Sequence, residues 1–241
     1  MLTSNIIRKD IEKLKKSPNL LNYEESYRKF SWKEAEKDID YFKDGTLNAA
    51  HNIIDRHTRG KKKNKIALFY NGINGEKEKF TFLDLKKLSD KFANILKQQG
   101  VVEEDRVFIF LPTIPERYVS FIGTLKVGAI VGTLFSAFQE MALLDRLSDS
   151  KAKIVVTNAL LFPRIEKIWK DLPHLEKVIV VERGASLLPR GEKIIYFGKE
   201  MKKAKNEFAI AHMEKTDYSY MLYTSGTTGK PKGVVHAHFD I

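Results

Sequence analysis

Between residues 65 and 181 the sequence switches repeatedly between short apolar, β-branched runs and longer amphipathic stretches. Strands are expected at 66–70, 107–111, 129–134, 153–157 and 178–181, and helices at 81–99, 115–127, 140–148 and 160–172. Leu85, Leu88, Phe92 and Ile95 recur at helical spacing on the first of these helices, and Gly100 stands where it should stop. After the strand at 66–70, Asn71-Gly72 begins a turn and residues 79–81 pair back. The later alternation predicts an α/β fold of parallel βαβ units, with helices on both faces of the sheet. Residues 1–60 read instead as a helical lead-in. Ser4 can cap a helix running through Lys16, with Ile7, Ile11 and Leu14 on one face. Ser31 with Glu34 makes a capping box. Residues 48–57 carry helical spacing that ends at Gly60. Two regions are therefore expected, a lead-in over 1–60 and an α/β body over 61–241. Residues 183–217 are mixed and polar and give no clear pattern.

Most of the chemistry in the chain is concentrated in Tyr223-Thr224-Ser225-Gly226-Thr227-Thr228-Gly229-Lys230-Pro231-Lys232-Gly233. Its glycines admit backbone conformations that other residues resist and let the main chain approach an anion. Consecutive N–H groups of such a turn form a concave anion site, to which Thr and Ser hydroxyls add donors. Lys230 and Lys232 supply charge, and Pro231 stiffens the exit. The common P-loop places four residues between its first glycine and Gly-Lys and then opens a helix. Here only Thr227 and Thr228 separate Gly226 from Gly229, and apolar residues 234–237 follow. The segment before it, 218–223, is also strand-like. The run is thus expected to join two strands, so any affinity for phosphate would come from its own amides and hydroxyls without a helix dipole. A polar hairpin with no ligand is the competing reading.

This run resembles the signature of the adenylate-forming enzymes, the superfamily of acyl-CoA synthetases, luciferases and peptide-synthetase adenylation domains, with Lys230 in the variable slot. Phe80-Thr81-Phe82-Leu83-Asp84-Leu85 and Leu125-Lys126-Val127-Gly128-Ala129-Ile130-Val131 resemble two earlier boxes of that family, in the same order. Asn22-Tyr23-Glu24-Glu25, the stretch from Gly45 to Asn52, Arg106-Val107-Phe108-Ile109-Phe110, Asp145-Arg146-Leu147 and the stretch from Lys151 to Thr157 are similar to its acetate–CoA ligase branch. The resemblance implies the incomplete N-terminal part of an adenylate-forming large domain. It also implies a reaction in which acetate attacks Mg2+-bound ATP to give acetyl-adenylate and pyrophosphate, after which CoA displaces AMP. It assigns Thr224, Ser225, Gly226, Thr227, Thr228, Gly229 and Lys230 to the ATP phosphates. It suggests CoA contact for Arg164, which follows an expected strand end where open α/β sheets bind ligands; a helix-surface arginine is the alternative. No catalytic residue and no metal ligand is expected among these residues, and the polypeptide alone is expected to be inactive. A non-catalytic nucleotide-binding domain or pseudoenzyme, and a ligase for another short-chain acid, remain as alternatives.

The remaining features narrow the field. At 241 residues, 43% hydrophobic and 30% charged, the chain has the make-up of a globular protein. No apolar run reaches the roughly 18 residues of a membrane span. The absence of cysteine excludes disulfides and thiolate metal sites and fits a cytoplasmic setting. The net charge of +11 comes from dispersed lysines and arginines, and the one dense run, Lys61-Lys62-Lys63-Asn64-Lys65, reads as a solvated loop, so no nucleic acid partner is expected. His51 and His57 do not share a helix face. His236 and His238 would point to one side of a strand without a third ligand nearby.

Overall fold

The computed structural model describes residues 10, 13–224 and 229–240. Most of the helix expected from Ser4 lies outside them, and its described end at 14–16 is not helical. Pro18 follows closely and disfavours helical backbone in the residue before it. The chain forms two compact units, residues 1–39 and 40–241. In the first, α1 (Tyr23–Lys29) starts at Asn22, whose side chain accepts from the Glu25 N–H, and α2 (Trp32–Ala35) starts at Ser31, whose hydroxyl accepts from the Glu34 N–H at 3.2 Å. The Glu34 carboxylate holds Lys37 at 2.7 Å.

The second unit opens with residues that the sequence grouped with the lead-in. Leu47 pairs with Met213, and the Asn48 amide donates to the carbonyls of Leu125 and Ala211, which draws Ala49, Ala50 and Ile54 into the core. The helix expected over 48–57 is in fact α3 (Ala49–Ile53) followed by a 3-10 turn at Asp55–Thr58. Next come the antiparallel strands β1 (Ile66–Asn71) and β2 (Lys77–Thr81). Then α4 (Phe82–Gln98) begins at a complete capping box, in which Thr81 and Asp84 each satisfy the other's backbone N–H.

The main sheet contains β3 (Arg106–Phe110), β4 (Ile130–Thr133), β5 (Ile154–Asn158), β6 (Lys177–Val181), β7 (Ile194–Tyr196), β8 (Tyr218–Thr224) and β9 (Lys232–Ala237), in the order β7-β6-β5-β3-β4-β8-β9. All neighbours are parallel except β8 and β9. Its helices are α5 (Pro115–Val127), α6 (Glu140–Asp149), α7 (Phe162–Ile168) and α8 (Phe197–Lys203). Side chains alternate between the two faces. Val107, Ile109, Ile154, Val156, Ile179 and Val181 join α4, α5 and α8 in one core layer. Phe108, Phe110, Val155, Val178 and Val180 join α6 and α7 in the other. This two-sided burial explains why the central strands read as nearly unbroken apolar runs.

The placement of the helices follows from the strand order. The chain steps from β3 to β4 in one direction, then crosses back over β3 to reach β5. Right-handed crossovers in opposite directions must use opposite faces, which puts α5 and α6 on different sides of the sheet. Gly128 ends α5 at φ +80°, where a Cβ would also lie 2.7 Å from Glu103. At Gly123 a Cβ would lie 2.9 Å from the Ser89 carbonyl, so glycine lets α5 approach α4 closely.

Candidate functional site

The winding of the sheet reverses direction at β3, and open α/β sheets receive ligands beyond the carboxyl ends of their strands at such a reversal. The hydroxyl-rich run leaves the sheet from the carboxyl end of β8. As expected, it joins two strands: Tyr223 pairs with Gly233 and Thr224 with Lys232, which closes the root of the connection. Ser225, Gly226, Thr227 and Thr228 lie outside the described residues. Around them, Thr224 and Lys232 are exposed, and Gly229 has φ +132°, a conformation that side-chain-bearing residues rarely adopt. The Lys230 side chain is 89% exposed, with its Nζ 3.9 Å from Asp145 Oδ1. Two lysines thus stand on the exit side of the connection, Lys230 in a long contact with Asp145 and Lys232 exposed at the start of β9.

Helix α6 borders both ends of this connection. The Tyr223 hydroxyl donates to Asp149 Oδ2 at 2.6 Å. Burial of the phenol, together with the Asp149 carboxylate beside it, pushes its pKa well above the usual tyrosine range. The buried Arg146 guanidinium lies 4.3 Å from the centre of the Phe138 ring and 5.8 Å from that of Tyr223. Arg164, suggested for CoA, donates through Nη1 to the carbonyls of Ser136 at 2.8 Å and Phe138 at 3.0 Å. It therefore ties the N-terminal end of α7 to the connection that follows β4. The sequence reading overlooked Tyr223, Arg146 and Asp149 as a group. The one available signal was the acidic pair Asp145 and Asp149 at helical spacing, facing no lysine on their own helix.

The histidines are arranged differently from the expectation. β9 ends at Ala237, so His236 and His238 do not share a strand face. The His236 ring stacks on Tyr220 with centroids 4.4 Å apart, whereas His238 is buried and its Nδ1 accepts from the Ala49 N–H at 3.1 Å. His51 is buried against Asp40, with Nε2 2.8 Å from Oδ2. No group of three or more His, Asp or Glu side chains is placed to hold a metal ion among the described residues. Among these residues, too, no helix is long and apolar enough to cross a membrane.

A parallel sheet with helices on both faces and a Gly/Thr/Ser-rich connection at a carboxyl strand end points to one class of protein. The chain belongs to the AMP-binding enzyme family, whose sequence model matches residues 54–241. Within that family it is 45% identical over 221 residues to the acetyl-coenzyme A synthetase of Bacillus subtilis (strain 168), a match that covers 91% of this chain and 38% of that protein. The crystal structure of the Brucella canis acyl-CoA synthetase superposes with a TM-score of 0.77 at 29% identity, covering 90% of this chain and 38% of that one. The anthranilate CoA ligase AuaEII, crystallised in complex with anthranoyl-AMP, superposes with a TM-score of 0.72 at 28% identity over 81% of this chain and 35% of its own. The chain thus spans less than two fifths of the length of these relatives.

Proposed function

We propose that these residues are the N-terminal portion of an ATP-dependent, AMP-forming acetate–CoA ligase, and that the connection from β8 to β9 grips the ATP phosphates. One observation carries the reading. The hydroxyl- and glycine-rich run stands at the carboxyl end of a parallel strand, in a chain 45% identical to an acetyl-coenzyme A synthetase. In this proposal Thr224, Ser225, Thr227 and Thr228 donate hydrogen bonds to the β- and γ-phosphates, while Gly226 and Gly229 give the backbone close access. Lys230 and Lys232 balance charge as pyrophosphate departs, so catalysis by this segment is positioning and neutralisation. ATP would be used as its magnesium complex; the described residues offer no cluster suited to the ion, and none of these roles depends on it. Arg164 would border the CoA path through the connection after β4, which it already holds. The setting we propose is the cytoplasm, where ATP and CoA are supplied and a chain without cysteine is at home. Acetate is favoured over other short acids by the identity to the Bacillus subtilis relative.

Calorimetric titration of the 241-residue chain with ATP tests the loop directly. Thr227→Ala and Thr228→Ala are each expected to weaken binding about tenfold, the scale of one or two hydrogen bonds to a charged group. Unchanged affinity in both variants would refute the assignment.

A further inference from the structure

A tyrosine at the end of a strand usually serves packing alone, and phenylalanine would then do as well. Tyr223 differs in where its hydroxyl goes. Its ring packs against the core layer that contains Phe108, with ring centres 6.3 Å apart, while its oxygen reaches across to Asp149 on α6. A hydrogen bond of 2.6 Å to a carboxylate is charge-assisted and directional, and it fixes the ring's rotation as well as its depth. The same helix addresses the ring from a second side. Arg146 lies against both Tyr223 and Phe138, spends Nη1 on the Ala142 carbonyl at 2.7 Å, and leaves Nε buried without a partner among the described residues. A buried guanidinium held with an unsatisfied nitrogen is costly, and the position beside the two rings is what it gains in exchange. Phe138 is itself fixed through its carbonyl by Arg164. Helix α6, the connection after β4 and the last turn of β8 are therefore tied at one point, and the next residue after Tyr223 is the first of the hydroxyl-rich run.

From this geometry we infer that Asp149 and Tyr223 are positioning residues for polyphosphate binding: their hydrogen bond sets the direction in which the chain leaves β8. The functional consequence rests on the phosphate-loop reading above. A multidentate anion site gains affinity from donors already aimed at the ligand, so a root free to swivel loses part of that affinity without any loss of ligand contacts.

The test uses the 241-residue chain with Tyr223→Phe, Asp149→Ala, the double variant and, as a control, Tyr196→Phe. The control loses a comparable hydrogen bond, from the Tyr196 hydroxyl to the Pro189 carbonyl at 2.7 Å, at a site remote in the sheet order. Titrations with ATP and with inorganic pyrophosphate are expected to show about fivefold to tenfold weaker binding in each single variant, as for one charge-assisted hydrogen bond. The double variant should be no weaker than either single one, and the control should bind as the parent does. Parent-like binding in Tyr223→Phe and Asp149→Ala, or losses that multiply in the double variant, would overturn the inference. Should the unsubstituted chain bind neither ligand, the phosphate-loop reading fails, and amide hydrogen exchange decides the anchor separately. Faster exchange across β8 and the start of β9 in Tyr223→Phe and Asp149→Ala than in Tyr196→Phe supports it; equal exchange sinks it.

Discussion

His238 shows how one side chain can join the two ends of a fold. Its Nδ1 accepts the first N–H of α3, from Ala49, so the ring serves as a cap supplied from 189 residues away. The accepting role puts the ring hydrogen on Nε2, which is buried without a partner among the described residues. Protonation would remove the acceptor, bury a charge and set that charge against the positive end of a helix. Burial accordingly lowers the His238 pKa to about 4, with Asp217 opposing the shift slightly. The unfolded chain, with an ordinary histidine pKa of about 6.5, takes up the proton first as pH falls. The contribution to stability is thus complete above about 6.5 and drains away between there and about 4. Thermal unfolding followed from pH 7 to pH 5 should show a loss on the order of 2 kcal/mol from this group. His238→Asn, which keeps an acceptor for the Ala49 N–H, should flatten that part of the profile; a profile as steep as the parent's would show that the ring is not its source.

Among the elements, α4, α5 and the 3-10 turn after α3 meet at a buried ionic junction. Lys126 of α5 is fully buried, with Nζ 2.7 Å from Asp55 Oδ1 in the 3-10 turn after α3 and 2.6 Å from Asp90 Oδ1 in α4. Lys86 reaches the other oxygen of Asp90 at 2.5 Å. Such a cluster adds little net stability over an apolar core, but removing one member strands the others in low dielectric. Lys126→Met is expected to cost about 3–5 kcal/mol in urea denaturation, whereas the exposed Lys170→Met should cost well under 1 kcal/mol. Equal, small losses would mean that water reaches the cluster. The sequence showed Lys126 only as one letter of an apolar box, because nothing local reveals that Asp55 and Asp90, so distant along the chain, converge on it. The long elements were legible for the opposite reason: 115–127 carries its own start, period and stop in Pro115, the apolar spacing and Gly128, and it appears as α5 with those limits. The helix expected at 160–172 is shorter, since α7 gives way to a 3-10 turn at Trp169–Asp171 where the Trp169 indole turns to the Leu175 carbonyl. β7 and α8 went unread because three residues of strand and seven of helix are too short for a period to register; their place is set by pairing with β6 and by Glu182, which accepts from the Gly198 and Lys199 N–H groups. At the candidate site the strand–loop–strand context was legible from composition, whereas the Tyr223–Asp149 contact, 74 residues apart in sequence, was not.

In the molecule as a whole, one sheet supplies only part of what the proposed reaction needs. The unit from Asp40 onward has a core layer on each face of its sheet and presents the root of the hydroxyl-rich connection from a paired strand. Forming an acyl-adenylate asks for more: the acid must be held in line with the α-phosphorus, in a site that excludes water, for the attack to gain from proximity. The chain matches only 38% of its Bacillus subtilis relative. The purified 241-residue polypeptide is therefore expected to bind ATP but to release no acetate-dependent pyrophosphate. A coupled pyrophosphate assay run with and without acetate measures this. Thr227→Ala serves as the control for contaminating ligase, because a contaminant's activity would be indifferent to the substitution. Pyrophosphate release that requires acetate and is lost in Thr227→Ala would show that these residues already contain an adenylation site, and would move the missing catalytic groups into the sheet described above. If ATP binds and release stays at background, binding and turnover divide between this α/β unit and the length of the relatives that it does not cover.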